Sequence, residues 1–112
     1  MPTHVVRAIS LDVSHEPLPA DLVREGHPTT GAVPVPTVAG LDVGVWEHSP
    51  GVSTDVEADE VFVVLSGRAS VAVEGGPTLE LAPGDLCVLE AGTRTTWTVH
   101  ETLRKVYVTP AS

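Results

Sequence analysis

The chain has 112 residues, a mass of 11.7 kDa and 42% hydrophobic residues, enough for one compact domain that builds a core without covalent staples. Its 15 acidic residues against 6 basic ones give a formal charge of -9 and a pI near 4.7, a balance that repels phosphate backbones and argues against nucleic acid as a partner. The single cysteine, Cys87, excludes an internal disulfide and predicts a reducing, cytoplasmic compartment.

In chain order, MPTHVVRAIS lacks the basic head and apolar core of a signal peptide. Residues 3–9, THVVRAI, predict a short edge strand. The segment 10–36, rich in Pro, Gly and Thr, predicts an irregular surface wrap with one helical turn at 21–25. From Val38 the texture changes. VAGLDVGVWEH, EVFVVLS, RASVAVE, TLELA, DLCVLE, TTWTVHE and RKVYVT are short runs rich in Val, Thr and Leu, most of them alternating apolar and polar. The turn signals SPG, SGR, EGGP, APGD and EAGT separate them. None approaches the ~20 apolar residues of a membrane helix, and nothing after residue 38 has a helical period. Strands at this spacing predict an all-β, antiparallel sandwich or barrel. The organisation is an N-terminal edge strand and wrap over 1–37 and a barrel over 38–112, within one domain.

Two motifs carry a resemblance. In ADEVFVVLSG, six residues stand between Glu60 and Gly67; in PGDLCVLEAG, Gly84 and Gly92 are spaced as a second motif, with Glu90 where proline is usual. Their order and spacing resemble the cupins, small jelly-roll barrels with a pocket lined by inward-facing side chains. Within the cupins, VWEHSPG, DEVFVVLSGRASV, PGDLCVLEAGTRTTWTV and HETLRKVYV are most similar to the ureidoglycine aminohydrolase-type family. The resemblance covers about residues 40–108 and implies a homodimer, often with an N-terminal strand added to the partner barrel; THVVRAIS is the segment for that role.

The resemblance also implies where a metal would sit, and there the chain departs from it. The two histidines usual before the motif glutamate fall at Thr54 and Val56, or at Ser53 and Asp55, and the last usual ligand falls at Thr95. Only Glu60 remains, and one carboxylate does not hold a transition metal tightly. The expectation is a cupin with no resident metal or other cofactor; a non-standard site of Glu60, His48 and Asp55 is the alternative.

Strand side chains alternate between faces. With Glu60 inward, as the resemblance implies, Phe62 and Val64 follow it; Thr95, Trp97 and Val99 share a face, as do Trp46 with His48 and Lys105 with Tyr107. Glu60, His48 and Tyr107 are the candidate acid/base groups, and Thr54, Phe62, Thr95 and Trp97 the candidate ligand contacts. An inward Glu60 needs a partner, and Arg94, Arg104, Lys105 and His48 are available. Cys87, in mid-strand, reads as a small buried hydrophobe. Three functions follow: a module binding a small molecule in its barrel, a metal-free enzyme of isomerase, cyclase or lyase type, and a dimerising barrel with a vestigial pocket. A metal-dependent hydrolase or dioxygenase is disfavoured by the missing histidines.

Overall fold

Short runs of Val, Thr and Leu satisfy their backbone groups by pairing with one another. In the computed structural model, which describes residues 3–111, they form β1 (Glu16–Pro17), β2 (Val23–Glu25), β3 (Thr29–Val35), β4 (Leu41–His48), β5 (Gly51–Val56), β6 (Glu60–Val73), β7 (Thr78–Leu81), β8 (Leu86–Leu89) and β9 (Arg94–Pro110). A single 3-10 turn, Ala20–Leu22, precedes β2.

The long strands β6 and β9 organise the barrel. β9 pairs with β5 through residues 94–99 and with β4 through 103–110, while β6 runs antiparallel along its other edge. β6 in turn pairs with β8 near its start and with β7 near its end. The two strands therefore pass through both halves of one curled antiparallel sheet, a jelly-roll barrel. Between the halves lie Phe62, Val64, Ala69, Val71, Leu81, Leu89, Trp97, Val99 and Leu103, all buried.

The bend in β6 explains SGR. The pairing Val64↔Lys105 becomes Ala69↔Val99, one residue out of step, across a run of register shifts. The slip switches the inward parity of β6 from Phe62 and Val64 to Ala69 and Val71. Gly67 sits in the bend at φ +88, and a Cβ there would stand 2.0 Å from the Thr102 carbonyl oxygen. The residues expected to form a turn between two strands are instead a bulge inside one. For a related reason TTWTVHE and RKVYVT are one strand: β9 stays on β6 while exchanging β5 for β4 as its other neighbour.

The N-terminal segment departs further from expectation. Among the described residues, 3–9 form no strand; the first two residues of the chain lie outside the description. Arg104 Nη1 donates to the Ala8 carbonyl at 2.7 Å and Arg104 Nε to Glu47 Oε2 at 2.8 Å, while His15 bonds the other Glu47 oxygen at 2.7 Å. These bonds strap the segment across the outside of the barrel. The 10–36 wrap contains β1, β2 and β3, which join the same sheet. Pro34 and Gly31 obscured β3; at an edge, proline's missing N–H faces no partner strand. The turn expected at 21–25 is the 3-10 turn followed by β2.

Candidate functional site

The acidic tract Asp55–Glu60 joins β5 to β6, and its side chains have separate tasks. Glu57 is pinned by its backbone: its N–H donates to the Thr93 carbonyl and its carbonyl accepts from Gly92, each at 2.8 Å. Asp59 Oδ1 accepts the Ala91 N–H at 2.8 Å, tying the same turn from the other side. So held, Glu57 points inward. Its Oε2 accepts from the Thr95 hydroxyl at 2.6 Å and the Trp97 indole N–H at 3.0 Å.

Glu60, at the head of β6, reaches Lys105 across the sheet, with Nζ 2.6 Å from Oε2. The ammonium also lies 4.4 Å from the Trp46 ring centroid, 4.3 Å from that of Phe62 and 5.1 Å from that of Trp97. Three electron-rich ring faces and one carboxylate thus surround one buried cation, which offsets part of its lost hydration.

His48, 2% exposed, is fixed from both ends. Nδ1 lies 2.6 Å from the Ser49 carbonyl, which can only accept, so Nδ1 carries the proton; Nε2, 2.8 Å from Ser53 Oγ, accepts from that hydroxyl. Burial is the main cause holding its pKa below 6.5, against the pull of the Ser49 carbonyl. The imidazole is neutral at pH 7. Burial also raises Asp55 above 3.8, reinforced by the charge of Glu57, and raises the Tyr107 phenol above 10.0, with Asp42 and Glu60 adding to it.

These groups open onto a cavity of about 270 Å³ lined by Trp46, His48, Ser53, Thr54, Asp55, Glu57, Glu60, Trp97, Lys105 and Tyr107, with Leu18 and Leu22 at its lip. Tyr107 lies across Gly44, its cross-strand partner, where a Cβ would strike the phenol oxygen at 2.3 Å; the missing side chain gives the ring its place. Trp46 and Trp97 meet at 5.6 Å between centroids, tilted by 60°.

A family model described as the EutQ-like cupin domain matches residues 39–107. The chain belongs to that family. No curated protein matches the sequence. Solved structures of similar fold include EutQ from Clostridium difficile (19% identity, TM-score 0.74, covering 95% of this chain and 85% of that one) and a protein of unknown function from Rhizobium leguminosarum (28%, 0.64, 70% and 78%). Ectoine synthase from P. lautus is another, at 18% identity and TM-score 0.64, over 70% of this chain and 62% of that one. At these identities the likeness to EutQ and to ectoine synthase is one of fold.

Within this EutQ-like cupin, the expected site residues separate into two groups. Glu60, His48, Tyr107, Thr54 and Trp97 line the cavity. Phe62 and Thr95 do not: Phe62 is core beneath the Lys105 ammonium, and Thr95 is buried behind Glu57. Of the four partners available to Glu60, the fold selects Lys105; Arg104 is on the outer face with Glu47. Cys87 is buried on the inner face of β8, its thiol pKa raised chiefly by burial.

Sequence reasoning missed Glu57 and the lip residues Leu18 and Leu22. Glu57 was one acid among four in DVEADE; alternation does not apply in a connection, and its bonds to Thr95 and Trp97 exist only after β9 has folded onto β5. A metal ion does not fit the residues present. Among the described residues no three His, Cys, Asp or Glu side chains group to hold one, and the surviving family carboxylate is engaged by an ammonium. Glu60, His48 and Asp55, the alternative site, line the one cavity but do not group closely enough to hold a metal.

Proposed function

We propose that this cupin is a binding module that holds a small molecule in its barrel. The observation that carries the reading is the cavity: Trp46, Trp97 and Tyr107 line it together with Ser53, Thr54 and three carboxylates, and Leu18 and Leu22 add apolar surface. This is the usual composition of a small-molecule site. The alternative, metal-free acid/base catalysis by Glu60, His48 and Tyr107, is less favoured because two of the three are engaged. Glu60 is held by Lys105, and the basic nitrogen of His48 is taken by Ser53.

The test is fragment binding followed by NMR at the Trp46 and Trp97 indole N–H signals. Ala32, exposed at the cavity mouth, is replaced by Phe to plug the opening without touching the charged groups. Fragments that shift the indole signals in the parent protein and not in Ala32→Phe, with melting temperature unchanged, support the reading. A diverse library that leaves both signals unmoved overturns it.

The finer likeness to the ureidoglycine aminohydrolase-type family belongs to the same proposal as a likeness of sequence, with no hydrolytic activity attached to it. So do a cytoplasmic location and a homodimer. The dimer is supported by exposed Val61, Val88 and Leu86, which stand side by side with half-buried Val63 on paired strands β6 and β8. Sedimentation of Val88→Glu as a monomer is the expected outcome; a monomeric parent protein overturns the proposal.

A further inference from the structure

The cavity carries more negative charge than its own cation balances. Asp55, Glu57 and Glu60 line it against the single ammonium of Lys105, which is committed to Glu60. His48 adds no positive charge, because its two nitrogens are used as donor and acceptor in a neutral ring. Neither Asp55 nor Glu57 forms an ion pair among the described residues.

A second, independent feature concerns one atom. Glu57 is 8% exposed, and both of its side-chain hydrogen bonds arrive at Oε2. Oε1 receives no donor among the described residues, yet Glu57 lines the cavity. No buried side-chain oxygen among the described residues is left without a partner, so Oε1 is reached by solvent through the cavity, and a ligand there can donate to it in place of water. The Asp55 carboxyl is pushed up first by partial burial and then by the neighbouring Glu57 charge, with Lys105 only partly opposing them. The aromatic wall points the same way. Trp46 and Trp97 already accept one alkylammonium, that of Lys105, and ring faces attract cations and not anions.

We infer that the ligand of this cavity is a small organic cation, an ammonium or guanidinium, whose charge sits against Asp55 and Glu57 while its apolar part packs on Trp46, Leu18 and Leu22. The inference rests on the proposed binding function and names the chemical class of its ligand. Carboxylic acids and phosphates are excluded from that class, since each would add charge of the sign already in excess. The chain's formal charge of -9 also draws cations toward the barrel.

The experiment compares four probes of nearly equal size on the full chain: butylammonium, propylguanidinium, propylurea and butyrate. Dissociation constants are read from the Trp97 indole shift. The expected result is that a cation binds about tenfold or more tighter than propylurea or butyrate, and that raising the salt concentration weakens it. Asp55→Asn and Glu57→Gln are each expected to weaken the cation about five- to tenfold and to leave propylurea unchanged. Propylurea or butyrate binding as tightly as either cation overturns the inference and leaves the binding function standing. Failure of all four, where neutral library fragments still move the indole signals, overturns it in the same way. Silence from every fragment as well overturns both.

Discussion

Lys105 Nζ and Glu60 Oε2 lie 2.6 Å apart with both side chains largely out of water, 6% and 15% exposed. The pair is the charged hinge between core and cavity, since the aliphatic stem of Lys105 rises from the inner face of β9 and its head is the floor of the site. Removing one partner leaves the other buried and uncompensated. Glu60→Gln and Lys105→Met are each expected to cost about 3 kcal/mol, and the double variant less than the sum of the two. Urea unfolding of the four proteins measures this; strictly additive losses would show that the two groups do not depend on each other.

The bend in β6 depends on Gly67. At φ +88, with a Cβ that would meet the Thr102 carbonyl oxygen at 2.0 Å, alanine carries both a conformational penalty and a backbone clash. Gly67→Ala is expected to lose about 3 kcal/mol or to fail to fold. Gly75, at φ +73 in open space in the β6–β7 turn, separates the two causes: its alanine variant should lose only about 1 kcal/mol. Equal melting temperatures for the two variants would count against the clash.

His48 makes stability depend on pH in a defined direction. Its folded pKa is below 6.5, mainly through burial. Between those two values the unfolded chain binds a proton that the folded chain does not. This contribution is therefore complete above pH 6.5 and is lost as pH falls from 6.5 to the folded value. The expected profile is a decline in unfolding free energy below pH 6.5 that is shallower in His48→Gln. Nitrogen-15 correlations of the ring should show the neutral, Nδ1-protonated form at pH 7; a charged ring there would refute the assignment.

Glu57 joins the cavity wall to the core through Thr95 and Trp97. Glu57→Ala strands a buried hydroxyl and a buried indole N–H, at an expected cost of about 2–3 kcal/mol. Glu57→Gln keeps an acceptor oxygen and should cost about 1 kcal/mol. Chemical denaturation followed by tryptophan fluorescence gives both values, and an alanine variant as stable as the parent would remove Glu57 from the architecture of the site.

Much of the barrel was legible because period-two alternation is a local property. Thr95, Trp97 and Val99 fall on one buried face, as the alternation requires, and EGGP makes the hairpin its glycines allow. The bend of β6 was not legible. SGR reads as a turn, and only the register slip against β9 shows that the strand continues through it. β3 was hidden by Gly31 and Pro34, whose cost depends on whether a strand is at an edge.

Composition, alternation and two glycine-spaced motifs are local, and they suffice to name a small acidic barrel with Glu60 directed inward. Which cation meets Glu60, which nitrogen of His48 holds the proton, and that Glu57 faces a cavity at all were decided only when β9 lay between β4, β5 and β6. The reason is physical: a carboxylate's partner is set by distances across strands that stand 45 residues apart in the chain for Glu60 and Lys105, and no local pattern encodes such a distance.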